Sequence, residues 1–136
     1  MRPSITQRYE MSCGLACVSF ITGKPHDLLA INEKPKSLNQ TGFTCMGLVR
    51  RLRQEGHRYS WKKVTDTKPI KEFPVGAIIF VGRSSILPYG HWLVLSDQGW
   101  MDSWINWQED TNIAHAQSGF RNLLPGKPEW ALLPQS

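Results

Sequence analysis

Apolar residues dominate the first strongly patterned segment of the chain, which begins at Cys13 and continues to Ile21. Ser12 precedes this segment and can cap a helix, and Gly23-Lys24-Pro25 follows it and ends the run. A helix that is apolar nearly all round is usually buried. The pattern therefore predicts a buried helix that begins at Cys13, followed by loops and a short helix near residues 27–32.

A second helix is predicted over residues 44–55, because its apolar residues recur at helical spacing. Cys45, Leu48, Val49 and Leu52 form the inner stripe, and Gly56 ends the helix. Beyond Gly56 the pattern changes to short apolar or alternating runs bounded by turn residues, which are typical of strands.

The remaining elements complete a prediction of fold class. We expect strands over residues 59–64, 77–81, 91–95, 100–105 and 129–133, and a short helix over 112–123. Helices first and strands afterwards indicate an α+β domain with an antiparallel sheet. A length of 136 residues suits a single domain spanning residues 1–136.

The strands at 91–95 and 100–105 form a predicted hairpin whose register has two solutions. A four-residue loop from Ser96 to Gly99 puts Leu95 opposite Trp100 and makes His91 and Asp102 diagonal neighbours on one face. A two-residue turn at Gln98-Gly99 instead puts His91 opposite Asn106. The register therefore selects between Asp102 and Asn106 as the partner of His91.

Composition and charge restrict the class of protein. The net charge is +5, and basic residues cluster between Arg50 and Lys63. No nucleic-acid-binding motif accompanies the cluster, so we expect a solvated helix face and no nucleic-acid partner, with an anionic partner left open. No run approaches the roughly 20 apolar residues of a membrane span, and the first residues lack the apolar core of a signal peptide. We expect a cytoplasmic protein or one exported without a signal peptide.

The chain has three cysteines, at positions 13, 17 and 45. They are too few for a disulfide scaffold, and an odd number cannot pair completely. Their spacing, with a histidine added, fits no common zinc signature, so a metal site is a minor alternative and we expect neither metal nor cofactor. Cys17 and Cys45 are interpreted as thiols on the inner faces of the two helices.

Cys13 is a different case, because it stands at the start of the first helix and Gly14 follows at once. The helix dipole and nearby N–H groups favour the negatively charged, reactive form of a thiol. A nucleophilic thiol needs a base that is distant in sequence and adjacent in space, and His91 on a strand fits that need. An acid or amide then orients the imidazole, and the Gln7 side chain can donate to the developing oxyanion.

Taken together, these motifs resemble a known family. Gln7 is followed, after five intervening residues, by Cys13-Gly14, and later by Gly-His-Trp-Leu-Val-Leu around His91 and Met-Asp-Ser-Trp around Asp102. This series is similar to the bacteriocin-processing peptidases and their stand-alone relatives, which are bacterial papain-like cysteine peptidases. Residues 41–56 resemble the second helix of that family. Ser103 is a departure, since proline often follows the family's aspartate.

The resemblance implies a papain-like fold and a site made of the nucleophile Cys13, the base His91, the orienting Asp102 and the oxyanion donor Gln7. It implies hydrolysis of a peptide or amide bond in a peptide or protein substrate, through a thioester. Members that cleave double-glycine leaders are commonly fused to a transporter, for which this chain has no room, so leader cleavage is not the expected activity. The alternatives are a deamidase or cell-wall amidase effector, and a non-catalytic binding protein on the same fold.

Overall fold

The structure, a computed structural model, describes residues 2–64 and 73–135. Three α-helices and one π-helical turn come first, and the strands follow along the chain. The helices are α1 (Cys13–Thr22), α2 (His26–Ala30) and α3 (Cys45–Gln54), and the π-helical turn is Ser37–Thr41. The strands are β1 (Tyr59–Lys63), β2 (Ile78–Val81), β3 (His91–Ser96), β4 (Gly99–Asp102), β5 (Gly119–Arg121) and β6 (Pro128–Pro134), with a 3₁₀ turn at Ile113–His115.

The six strands form one sheet in the order β1-β6-β2-β3-β4-β5, and every pair in it is antiparallel. This confirms the predicted α+β class with an antiparallel sheet. Helix α1 packs against β3, α2 and α3, and α3 also packs against β1. The first half of the chain thus covers the sheet that the second half builds.

Side chains alternate between the two faces of the sheet, as the pleat requires. One cluster joins the helices to the sheet and includes Leu15, Leu48, Trp92 and Met101. The second cluster lies on the opposite face of the sheet and includes Ile79, Leu93, Trp100 and Ala131. Both faces of the central strands are therefore buried, which explains why β2 and β3 read as continuous apolar runs.

Helix α1 begins and ends where the pattern predicted, at Cys13 and before Gly23. Gly23 has a φ of 76°, the left-handed conformation that glycine adopts at helix ends, and its N–H donates to the carbonyl of Ser19. Ser12 is the N-cap residue, as predicted, but its side chain makes no capping hydrogen bond. Its hydroxyl is engaged instead with the backbone of Tyr9 and with the ring of His26.

Helix α3 agrees with the predicted second helix to within one residue at each end. Thr44 caps it by accepting a hydrogen bond of 3.0 Å from the N–H of Gly47. The neighbouring basic cluster is not wholly a solvated face, as we had expected. Arg51 is buried, pairs with Glu33 and Glu55, and donates to the carbonyl of Leu29.

The predicted helix over residues 112–123 was wrong. Asn112 caps only a single 3₁₀ turn, and the chain then extends into β5, which pairs with β4 so that Trp100 lies opposite Arg121. Pairing with the free edge of β4 satisfies backbone groups that a helix could not satisfy there. This strand brings Arg121 to the end of β4, which the sequence pattern did not indicate.

The β3–β4 hairpin has the first of the two registers considered from the sequence. Leu95 lies opposite Trp100 and Ser96 opposite Gly99, so the turn residues are Asp97 and Gln98. Gly99 has a φ of 115°, and a Cβ there would lie 2.6 Å from the carbonyl oxygen of Arg121. Only glycine fits both conditions, and it therefore helps to fix the register.

No helix in the described part of the chain is long and apolar enough to cross a membrane.

Candidate active site

The structure brings the predicted site residues together at one end of the sheet. His91 is the first residue of β3, Asp102 is the last of β4, and Cys13 is the first of α1. Gln7, Cys13 and His91 line one cleft, and Asp102 lies behind His91. The start of α1 and the β3–β4 hairpin, which are distant in sequence, therefore meet at the same place.

His91 and Asp102 form a direct pair. The imidazole Nε2 lies 2.6 Å from Oδ1 of Asp102, and both residues are buried. Because Asp102 accepts at Nε2, the other ring nitrogen, Nδ1, is the one left for a thiol. The predicted alternative partner, Asn106, lies elsewhere: its side chain donates to the carbonyl of His115 and accepts from the N–H of Gln117.

Asp102 is itself held by two further donors. The backbone N–H of Trp104 donates to Oδ1 at 2.9 Å, and Nε of Arg121 donates to Oδ2 at 2.6 Å. Arg121 also donates through Nη2 to the carbonyl of Ile105. The carboxylate therefore has a fixed orientation toward His91. The sequence did not indicate a role for Arg121, because residues 112–123 were predicted to form a helix and no motif marks this arginine.

The pKa of His91 is raised and that of Asp102 is lowered, as expected for two groups that form an ion pair. Burial by itself lowers the pKa of His91, but the charge of Asp102, with contributions from Cys13 and from hydrogen bonding, raises the pKa well above its ordinary value. Burial by itself raises the pKa of Asp102, but His91, Arg121 and the Trp104 N–H hold it well below its ordinary value. The pair is therefore an imidazolium and a carboxylate near neutral pH.

Cys13 is the partly exposed thiol beside this pair. It lines the same cleft as His91 and contributes to the raised pKa of His91. It stands in the first turn of α1, a helix of 10 residues, where the dipole favours negative charge. In the described part of the chain, the backbone N–H of Cys13 donates to no backbone carbonyl.

The other two cysteines have the character of packing residues. Burial raises the pKa of Cys17, and the neighbouring Cys13 and Asp102 raise it further. Burial also raises the pKa of Cys45, although its own backbone lowers it in part. Raised pKa values disfavour the nucleophilic thiolate. Of the three cysteines, Cys13 has the surroundings that a nucleophile needs.

Gln7 lies at the cleft with its side chain already engaged. Nε2 donates to the carbonyl of Tyr9 at 2.9 Å and to that of Glu10 at 3.2 Å. Its Oε1 accepts a hydrogen bond of 2.7 Å from the hydroxyl of Ser103, the residue at which the resemblance would expect proline. Both amide N–H groups are thus occupied by the turn that leads to Cys13.

The cleft beside Cys13 has a volume of about 400 Å³. Its walls come from the loops before α1 and α3 and from the loop between β2 and β3, and they are rich in aromatic rings. The lining aromatic residues are Phe43, Phe80, Tyr89, Trp92, Trp104 and Trp107. Trp92 also donates to the carbonyl of Phe43 at 3.3 Å, which ties the loop before α3 to β3.

Two glycines next to site residues are required by packing. A Cβ at Gly14 would lie 3.1 Å from Leu48 and 3.3 Å from Trp92. Gly14 therefore allows α1 to approach α3 and β3. Gly90 has a φ of 73°, and a Cβ there would lie 2.2 Å from the ring of Phe80, so only glycine can precede His91.

Among residues 2–64 and 73–135, no group of three His, Cys, Asp or Glu side chains is arranged to hold a metal ion.

Comparison with protein-family models finds no matching family, and a search of curated proteins finds no matching protein.

Proposed function

We propose that this protein is a cysteine-dependent hydrolase of peptide or amide bonds, built on a papain-like fold. The observation that carries the proposal is the buried His91–Asp102 pair, oriented by Arg121 and placed against a partly exposed thiol in a cleft. A buried ion pair of this kind is costly to maintain for stability alone.

The proposed reaction follows from the positions of these groups. The Cys13 thiolate attacks the carbonyl carbon of the substrate, and the carbonyl oxygen becomes an oxyanion near the Cys13 N–H and Gln7. Protonated His91 then gives its proton to the leaving amine, and a thioester with Cys13 remains. Neutral His91 next takes a proton from water, which attacks the thioester and releases the acid.

Each residue has a separate task in this scheme. Asp102 accepts at Nε2 and so presents Nδ1 of His91 to the thiol, and its charge stabilises the imidazolium. Arg121 and the Trp104 N–H fix the carboxylate. The aromatic cleft supports a peptide or protein segment as substrate. We expect such a segment to bind across the cleft, with its scissile carbonyl at Cys13.

Alkylation of the thiols tests the proposal without a known substrate. With iodoacetamide near neutral pH, we expect Cys13 to be labelled well before Cys17 and Cys45, because those two thiols have raised pKa values. Peptide mass mapping over time gives the order. The variant His91→Gln provides the matched control and should slow labelling of Cys13 while leaving the other two unchanged. Earlier labelling of Cys17 or Cys45 would contradict the assignment.

A further inference from the structure

The contacts of Gln7 point to a residue that the proposed mechanism does not yet use. We propose that Ser103 is a positioning residue, whose hydroxyl anchors the Gln7 amide oxygen so that one amide N–H can pass from the Glu10 carbonyl to the substrate oxyanion. This inference rests on the proposed hydrolase function and deepens it.

The orientation of the Gln7 amide is fixed by its partners. The carbonyl oxygens of Tyr9 and Glu10 can only accept, so the nitrogen end of the amide must face them. The oxygen end then faces Ser103, whose hydroxyl donates to Oε1. Reversing the amide would place an oxygen against two carbonyl oxygens, which is unfavourable.

The amide has two N–H groups and both have acceptors, so an oxyanion must displace one acceptor. The bond to Tyr9 is 2.9 Å long and the bond to Glu10 is 3.2 Å. The longer bond is the weaker of the two and is the one that an oxyanion, a stronger acceptor, replaces. During this exchange, Ser103 and Tyr9 continue to hold the other two positions of the amide.

Burial makes the Ser103 contact important. Ser103 is 0 % exposed and Gln7 is 2 % exposed, so water does not readily replace a lost hydrogen bond. Without the hydroxyl, Oε1 would be buried without its donor and the amide would lose its anchor. The backbone contact between the same residues is separate, since the N–H of Gln7 donates to the carbonyl of Ser103 at 3.2 Å. The variant Ser103→Ala keeps this backbone contact.

Ser103 also lies between Asp102 and Trp104, which holds the Asp102 carboxylate. Asp102 ends β4, and the N–H of Trp104 donates to its carboxylate. Two consecutive residues, Ser103 and Trp104, therefore hold the Gln7 amide and the carboxylate that orients His91. Placement of the base and of the oxyanion donor is linked through this short segment.

Two reagents separate oxyanion stabilisation from thiol reactivity. p-Nitrophenyl acetate transfers its acetyl group to Cys13: the thiolate attacks the carbonyl, an oxyanion forms, and p-nitrophenolate leaves. Iodoacetamide alkylates the same thiolate by displacing iodide, and no oxyanion forms. We expect Ser103→Ala to slow acylation about 10-fold, since the donor is misplaced and not removed, and to leave alkylation of Cys13 within about 2-fold.

Further variants test whether Ser103 acts on the acylation rate through Gln7. Ser103→Thr retains a hydroxyl and should restore most of the acylation rate. In a Gln7→Ala background, Ser103→Ala should cause no additional loss, because the group that Ser103 positions is absent. Circular dichroism and the alkylation rate together report that each variant keeps its fold.

Three results overturn the inference alone: an unchanged acylation rate in Ser103→Ala, an equal fall in acylation and alkylation, or additive losses with Gln7→Ala. The variant Cys13→Ala distinguishes failure of the proposed function. If release of p-nitrophenolate by the wild-type protein does not depend on Cys13, the hydrolase proposal is wrong and the role of Ser103 is wrong with it.

Discussion

Two buried histidines lie beside the start of α1, and they differ in their partners. His91 on β3 pairs with the Asp102 carboxylate and interacts with Cys13. His26 at the start of α2 contacts the hydroxyl of Ser12 through Nε2 at 3.1 Å. Its Nδ1 is buried and has no hydrogen-bond partner among the described residues.

The difference in partners decides the charge of each ring. Burial lowers the pKa of both histidines. At His91, Asp102 outweighs burial and the pKa is raised. At His26, the neighbouring Asp27 is exposed and its effect is too small to offset burial, so the pKa is lowered. Of these two buried histidines, His91 is therefore the one whose carboxylate partner favours the protonated ring.

Replacing each histidine in turn tests this comparison with the largest expected effect. His91→Gln should lower the rate of Cys13-dependent hydrolysis on the order of 10³-fold or more, because it removes the proton acceptor and donor. His26→Gln keeps a donor toward Ser12 and should change the rate by less than about 3-fold, because His26 takes no part in the proposed reaction. Steady-state kinetics with a cleaved substrate or p-nitrophenyl acetate give both values.

The control for the histidine pair is the fold itself. Thermal unfolding should show that both variants remain folded, so that a loss of rate in His91→Gln reports chemistry. Equal losses in the two variants would show that the two histidines do not differ in the way that their partners indicate.

A smaller loss is expected when the partner of His91 is removed. Asp102→Ala should lower turnover by on the order of 10²–10⁴ with the fold retained, since the orienting group holds the tautomer and stabilises the imidazolium. Asn106→Ala should be mild, because the Asn106 side chain hydrogen-bonds to the backbone of His115 and Gln117. Near-normal turnover in Asp102→Ala, with a loss in Asn106→Ala, would transfer the orienting role to Asn106.

The smallest expected effect is on the pH dependence of the free energy of unfolding, in which the two histidines should also differ. The pKa of His26 is lower in the folded protein than in the unfolded chain, so His26 contributes stability above its unfolded pKa of about 6.5 that is lost as pH falls. The free energy of unfolding of the wild-type protein should therefore decrease more between pH 7 and pH 5 than that of His26→Gln, as urea titrations at each pH would measure.

His91 has the opposite sign. Its pKa is raised in the folded protein, so its contribution is fully present below about pH 6.5 and is lost as pH rises toward the folded value. Between pH 7 and pH 9, the wild-type protein should lose more stability than His91→Gln. If the free energy of unfolding of His26→Gln and that of His91→Gln changed with pH in the same way, the two rings would not differ in charge.

Much of the fold could be predicted from local pattern. The buried helix from Cys13, the amphipathic α3 and the strands on either side of Asp97 and Gln98 follow from hydrophobic spacing and turn residues, which act over a few neighbouring positions. The same local signals failed for residues 112–123, because pairing with the edge of β4 decided their conformation. A strand whose main stabilisation is a partner elsewhere has a weak local signal.

For the site, the sequence by itself indicated Cys13, His91 and the choice between Asp102 and Asn106 as candidates, since residue type and order restrict the chemistry. Only the tertiary structure decided the hairpin register, the Arg121 contact to Asp102 and the engagement of the Gln7 amide by Ser103. These features depend on distances between segments that are far apart in the chain. Hydrogen bonds of this kind are set by packing, because no periodicity along the sequence encodes which side chains meet across a sheet end.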